Sequence, residues 1–311
     1  MHKTSERIDR LKKSRDDTAR MENVHVVDEA YEEAIKEYAD RPVSVQFARG
    51  FEKALGRRKI VIQDDDILAG FLFRYTVNVN LPMSTSADFD PAGRAPVSMD
   101  VRREVREIAE DGYASETELE ELDEFAFGAT TGLLTHFHSG HVLPDYRKLL
   151  AKGWSGLRSD IEASRRAGKS EDELAALESF EITTEAASMY IMRYQAEAAR
   201  LLSEAEKSGN TARASELRRM SDALKHIATE PASSFYEAVQ LVWLVHEMLY
   251  CEISPFAVSL GRVDQYLYPY FKKDMEAGAI TEDEAADLID HFWLKISGYR
   301  KSYQNLAIGG C

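Results

Sequence analysis

Cysteine, proline and long apolar runs are all scarce in this sequence. Cysteine occurs only twice, as Cys251 and Cys311, so neither a disulfide framework nor a paired-cysteine zinc motif is indicated. With 8 prolines and 17 glycines, the chain is not collagen-like or of low complexity. The longest apolar stretch, residues 238–250, is interrupted by polar side chains and is too short to cross a membrane. Residues 1–20 contain no apolar signal segment, and we expect a cytoplasmic protein that does not bind membranes.

Positive charge is also in deficit. The chain has 39 Lys and Arg against 54 Asp and Glu, a net charge of −15, and such a surface repels phosphate backbones. We therefore expect no nucleic-acid partner. Apolar side chains are plentiful at 44% of the residues, and over 311 residues this content predicts a large buried core.

Apolar residues recur at spacings of three and four along most of the chain. This periodicity predicts a mainly α-helical fold with a few β-strands. An acidic triplet at residues 64–66 separates two short apolar segments, 60–62 and 67–70, which predicts a strand, a tight turn and a second strand. Residues 81–98 are expected to form a loop, and residues 304–308 to be extended. No internal repeat is visible, so residues 1–311 are treated as one domain, with residues 1–22 as a flexible or helical lead-in.

Three histidines in an HxHxxH pattern, His136, His138 and His141, are spaced as in sites that hold a catalytic metal ion. Metal hydrolases with a similar loop carry an aspartate where this chain has Gly140, so we expect no metal site here. A metal-dependent hydrolase is kept as an alternative. The acidic triplet lacks the glycine and distal glutamate of a calcium loop and is interpreted as a turn.

Several separated segments together carry a more specific signal. They are residues 62–70 (IQDDDILAG), 140–153 (GHVLPDYRKLLAKG), 233–243 (SSFYEAVQLVW), 259–270 (SLGRVDQYLYPY), 278–285 (GAITEDEA) and 304–310 (QNLAIGG). In this order they resemble the N-terminal portion of the glycyl radical enzymes, the pyruvate formate-lyase-like family.

The resemblance implies a fold, a chemistry and partners. The fold is the N-terminal part of a ten-stranded α/β barrel. The chemistry is anaerobic radical chemistry on a small-molecule substrate, by a C–C lyase of the formate C-acetyltransferase type or by a radical dehydratase or eliminase. No cofactor is expected to be bound, because a separate radical SAM activating enzyme installs the glycyl radical. The intact enzyme is expected to be a homodimer.

The two radical-bearing residues of the family, a cysteine and a glycine, are not recognised in this chain. Gly298 and Cys311 lie too early in the family's order to match them. We therefore expect the chain to be inactive alone, as part of a longer enzyme. A helical binding or accessory module is the other alternative.

The resemblance also implies a share of the substrate cavity. His141, in the GHxxPDY segment, and Phe256, Ala257 and Ser259 are the expected substrate-binding residues. Phe256 and Ala257 stand where diol dehydratases of the family carry a His-Ser pair, which disfavours a glycerol-like substrate. Arg262 and Asp264 are expected to support the turn near the cavity.

Overall fold

The computed structural model describes residues 5–14, 26–71, 143–167, 169–249, 251, 258–297 and 306–309. These residues are mainly helical, which confirms the prediction from periodicity. The predicted loop at 81–98, the three clustered histidines, Phe256, Ala257, Gly298 and Cys311 lie outside the described residues. The elements are α1 (Glu6–Ser14), α2 (Val26–Glu37), α3 (Val43–Arg57), α4 (Tyr146–Arg165), α5 (Glu171–Lys207), α6 (Thr211–Ile227), α7 (Phe235–Leu249), β1 (Gly261–Arg262), α8 (Val263–Glu276), α9 (Glu282–Ser297) and β2 (Leu306–Ala307).

The helix starts follow local capping rules. Ser170 and Glu173 form a reciprocal capping box at the start of α5. Thr281 and Glu284 do the same before α9. At the start of α7, the hydroxyl of Ser234 accepts the hydrogen bond from the amide of Glu237.

Helix α7 lies at the centre of the core. Its residues 238–248 are all buried, and Trp243 is completely enclosed. Around it, α5 packs along α6 and α3, and α2 packs along α3. Each large apolar side chain buried in this way contributes about 1.5–3 kcal/mol to stability. Because α7 has no solvent-exposed face, any polar side chain on it needs a partner inside the protein.

Residues 60–62 and 67–70 do not form the predicted strands within the described part of the chain. The acidic turn between them is present, since the amide of Asp66 donates to the Gln63 carbonyl at 3.0 Å. The backbone groups that follow the turn bind side chains from surrounding helices, so they need no neighbouring strand to satisfy them.

The two strands form a parallel pair in which Gly261 is opposite Leu306 and Arg262 is opposite Ala307. This places the predicted extended segment at the end of the chain beside the start of α8. None of the helices in the described ranges is both long and apolar enough to cross a membrane.

Candidate functional site

Ser259, Arg262 and Asp264, the described residues that were expected near the cavity, lie in or beside strand β1. Ser259 is partly buried just before β1. Arg262 Nε lies 3.8 Å from Asp264 Oδ1, a long contact between partly exposed groups. Asp264 Oδ2 accepts a hydrogen bond of 2.9 Å from the amide of Gly309, and this bond is the main cause of a lowered pKa of Asp264. Asp264 thus connects Gly309, two residues after the end of β2, to the first turn of α8.

The GHxxPDY segment lies against the same turn. Gly261 has a φ of +66°, and a Cβ there would be 2.5 Å from Leu143. The ring of Tyr146 lies 5.4 Å from that of Tyr266, whose hydroxyl donates to the Leu260 carbonyl at 2.9 Å. Two segments more than a hundred residues apart in the sequence are therefore in contact. His141 precedes Leu143 by two positions and lies outside the described residues.

A glycine of the same motif allows a close backbone approach. Gly153 bends α4 with a φ of +62°, and a Cβ there would lie 2.5 Å from backbone atoms of Glu230 and Pro231. The bend lets the amide of Ser155 donate to the Thr229 carbonyl at 2.8 Å. The helix that follows the GHxxPDY segment is thereby joined to the chain that enters α7.

A second polar site lies around residues 63–71, which we name the anchored segment. Within it, side chains of α6, α7 and α9 bind the backbone directly, and all of these bonds are between 2.6 and 2.9 Å long. Arg213 donates to the carbonyls of Gln63 and Asp66. Tyr236 donates to the carbonyl of Ile67, and Lys295 donates to that of Gly70. Gln240 bonds to both the amide and the carbonyl of Ala69.

Only glycine fits at position 70. Its φ is +113°, a conformation that favours glycine, and a Cβ would collide with the Trp243 indole and lie 2.7 Å from Glu247 Oε2. Trp243 and Glu247 extend the row that Tyr236 and Gln240 begin, at spacings of four, three and four residues along α7. One face of the most apolar helix is therefore directed at the anchored segment.

Arg58 and Glu247 form a buried ion pair beside this segment. Both side chains are completely enclosed, with Arg58 Nε 3.5 Å from Glu247 Oε1. The hydroxyls of Tyr190 and Tyr194 donate to the same oxygen, at 2.6 and 3.0 Å. Burial raises the pKa of Glu247, because its desolvation outweighs the stabilisation that Arg58 and the hydroxyls give to the charged form. Arg58 also donates to the sulfur of Cys251 at 2.7 Å.

The acidic turn is closed by Asp66. Its Oδ1 lies 2.9 Å from Lys295 Nζ and 3.2 Å from His291 Nε2, and its Oδ2 accepts from the amide of Gln63. Burial favours the neutral acid, but Lys295, His291 and the Gln63 amide together outweigh it and lower the pKa of Asp66 to about 2. Asp65 is paired with Arg10 of α1. Both carboxylates thus have cationic side chains as partners, which supports a structural turn.

Metal ligands do not cluster within the described ranges, where no group of three or more His, Cys, Asp or Glu residues could hold a metal ion. The HxHxxH histidines lie outside those ranges. The hypothesis of a metal site at His136, His138 and His141 is therefore untested.

Comparison with known proteins decides the family. The family model for pyruvate formate lyase-like proteins matches residues 2–310. The chain belongs to the pyruvate formate lyase-like family. Its recognition as a glycyl radical enzyme relative from separated sequence segments is thereby confirmed.

Two curated relatives show what kinds of enzyme this member of the pyruvate formate lyase-like family is similar to. It is 28% identical to a (2S)-3-sulfopropanediol dehydratase of Klebsiella oxytoca, over 90% of this chain. It is 27% identical to an isethionate sulfite-lyase of Desulfovibrio desulfuricans, over 88% of this chain. In both cases the chain spans 37% of the relative's length.

Solved structures share the fold. A glycerol-bound, B12-independent glycerol dehydratase from Clostridium butyricum superposes with a TM-score of 0.73 at 24% identity, covering 100% of this chain and 44% of that one. A glycyl radical enzyme from Archaeoglobus fulgidus superposes with a TM-score of 0.71 at 24% identity, covering 98% and 44%.

Sequence reasoning did not identify the side chains around the anchored segment. Gln240 and Glu247 were noticed as interruptions of an apolar run, but none of the side chains of Arg58, Gln240, Glu247 and Lys295 was expected to bind another part of the chain. The available signal was the helical spacing of polar residues within an otherwise apolar helix, because a buried polar side chain needs a partner.

Proposed function

We propose that this chain is the N-terminal portion of a glycyl radical enzyme that eliminates a leaving group from a small substrate. The observation that carries the proposal is the family match over residues 2–310 together with relatives named as dehydratase and sulfite-lyase. Both names describe loss of a small group, water or sulfite. We favour this branch over a C–C lyase of the formate C-acetyltransferase type for that reason.

In this proposal the described residues form part of the wall of a barrel. The parallel pair of β1 and β2 supports a barrel, because parallel sheets are found almost only where both faces are covered. The side chain of Leu306 is 38% exposed and that of Ile308 66%, so apolar groups beside this pair are available for further strands or helices to cover. The intact enzyme would be a cytoplasmic homodimer.

The chain's contribution to chemistry is to bind and orient the substrate. His141 and Ser259 would supply polar groups, and Phe256 and Ala257 an apolar surface. Such a pocket suits a substrate less polar than glycerol. The radical itself would be held by a glycine and relayed by a cysteine supplied outside residues 1–311, after activation by a radical SAM enzyme. The chain alone would therefore be inactive.

The test begins with the nucleotide sequence downstream of the Cys311 codon. We expect an open frame that encodes a cysteine, a glutamate two residues later, and an RVxGY loop. The full protein, incubated without oxygen with its activating enzyme and S-adenosylmethionine, should then show a glycyl radical by electron paramagnetic resonance. An immediate stop codon, with no neighbouring gene that encodes these motifs, would favour an accessory module. Stoichiometric zinc in the purified protein would favour the metal hydrolase.

A further inference from the structure

Two arginines hold the short helix α1 against the rest of the protein. Arg10 donates to both carboxylate oxygens of Asp65, at 2.9 and 2.6 Å, and Arg7 donates to Glu216 of α6. The side chain of Arg10 is 55% exposed and that of Arg7 29%. Dissolved ions therefore reach both pairs and weaken them as the ionic strength rises.

The apolar packing of α1 is small and separate from the main core. Ile8 and Leu11 are its buried apolar side chains, and its most extensive packing against another described helix is with α9. Among the described residues, the contiguous apolar core around α7 includes neither of them. The helix has nine residues, and isolated helices shorter than about 12–15 residues are marginal in water. We therefore expect α1 to unfold when it leaves its place, while the core around α7 stays folded.

The two elements under α1, the acidic turn and α9, supply a buried polar cluster. Asp66 follows Asp65 in the turn, and its Oδ1 lies 3.2 Å from His291 Nε2 and 2.9 Å from Lys295 Nζ of α9. The side chains of Asp66 and His291 are each 1% exposed. Burial is the main cause of a lowered pKa of His291, and the charges of Lys295 and Arg7 lower it further. Arg7 thus places α1 near this imidazole.

We propose that α1 is a latch, sensitive to ionic strength, that closes over the cluster of Asp66, His291 and Lys295. In the closed state the two arginine pairs and the two apolar side chains keep water from the cluster. In the open state α1 is unfolded and water enters. Because Lys295 also donates to the carbonyl of Gly70, opening of the latch loosens the end of the anchored segment.

The test measures amide hydrogen exchange in the full protein that contains residues 1–311. Arg10→Gln removes the pair with Asp65, and Ile8→Ala weakens the apolar contact without a change of charge. Arg41→Gln is the matched control, because Arg41 contacts both carboxylate oxygens of Glu178, at 2.8 and 2.7 Å, and is similarly exposed but lies away from α1. Helix α7 is the internal reference for global unfolding.

Raising the salt concentration from about 0.1 to about 1 M shortens the screening length from about 10 to about 3 Å, and exchange in α1 should accelerate about fivefold. Exchange in α7 should not change. Arg10→Gln should show faster exchange in α1 at low salt and a smaller response to added salt. Ile8→Ala should show faster exchange with the full response, and Arg41→Gln should match the wild type in α1. Exchange in α1 that is as slow as in α7 and independent of salt would overturn the proposal, as would an equal effect of Arg41→Gln.

A second measurement tests whether the latch covers the cluster. Modification by diethyl pyrocarbonate, located by mass spectrometry, reports on the access of reagent to each histidine. His246 is the matched reference, because it is as deeply buried as His291 but lies on α7. His291 should react faster than His246, and the difference should grow with salt and in Arg10→Gln. Equal rates for the two histidines under all these conditions would overturn the proposal.

Discussion

Lys295 Nζ lies 2.9 Å from Asp66 Oδ1, and both side chains are buried. The same ammonium group donates to the carbonyl of Gly70, so one cation joins the acidic turn to the end of the anchored segment. The pair forms only when α9 is packed against residues 66–70. It therefore connects formation of the core with the position of this segment.

Removal of the Asp66 charge should strongly destabilise the folded protein. Asp66→Asn leaves Lys295 buried without its counterion, and breaking a buried pair in this way typically costs about 3–5 kcal/mol. Asp65→Asn is the matched control one residue away, because Asp65 pairs with the more exposed Arg10, and solvent screening makes such a pair contribute little to stability. Denaturant unfolding of both variants measures the difference. Equal losses would show that burial of the Asp66 pair is unimportant.

The same carboxylate predicts acid sensitivity. The pKa of Asp66 is lowered from 3.8 to about 2, so the folded state binds this proton less tightly than the unfolded state. Its contribution to stability should be complete above a pH of about 4 and lost as the pH falls towards 2. The free energy of unfolding of wild type minus that of Asp66→Asn, measured from pH 5 to 2, should shrink over this window. A difference that is independent of pH would contradict the assignment.

The contribution of Glu247 to stability should change with pH in the opposite direction. Because burial raises its pKa, the folded state binds the proton more tightly than the unfolded state, and stability due to this group should fall as the pH rises above about 4.5. Glu247→Gln should therefore gain stability relative to wild type with rising pH. Glu284→Gln is the reference, since hydrogen bonds from Thr281 lower the pKa of Glu284. The two difference curves should slope in opposite directions, and parallel slopes would refute the prediction.

Gly153→Ala should destabilise the protein through a collision as well as through backbone strain. Gly209 provides the control, because it also has a positive φ, +74°, but has nothing near its missing Cβ. Gly209→Ala should cost about 1–2 kcal/mol from the left-handed conformation alone. Gly153→Ala should cost about 1–3 kcal/mol more, because its Cβ meets the backbone of Glu230 and Pro231. Thermal unfolding of both variants separates the effect of the collision from that of backbone strain. Equal losses of stability in the two variants would exclude the collision.

In the full protein, His141→Ala should lower turnover or substrate affinity without preventing formation of the glycyl radical. His226→Ala is the control, because His226 is a partly exposed histidine near the end of α6 that contacts Glu237, far along the chain from the GHxxPDY segment. Steady-state kinetics and electron paramagnetic resonance are measured on the same samples. Loss of the radical signal in His141→Ala would indicate a structural residue instead of a pocket group.

The sequence alone determined the helices and the family. Helix α9 illustrates why, since its apolar spacing and its Thr281 and Glu284 capping box are contacts among residues a few positions apart. The family followed from the order of short segments and needed no structure. Residues 60–62 and 67–70 illustrate the opposite case, because their β-branched and apolar side chains predicted strands that the described structure does not contain.

Only the tertiary structure decided what those residues do instead. Ala69 and Gln240 are separated by 171 positions, and nothing local to either residue predicts that a glutamine amide binds that backbone. The physical reason is that a polar group buried in the core must find a partner, but which one it finds depends on how α7, α9 and the anchored segment pack. The sequence indicated that Gln240 and Glu247, as polar residues in an otherwise apolar helix, would need partners, and packing determined which partners they have.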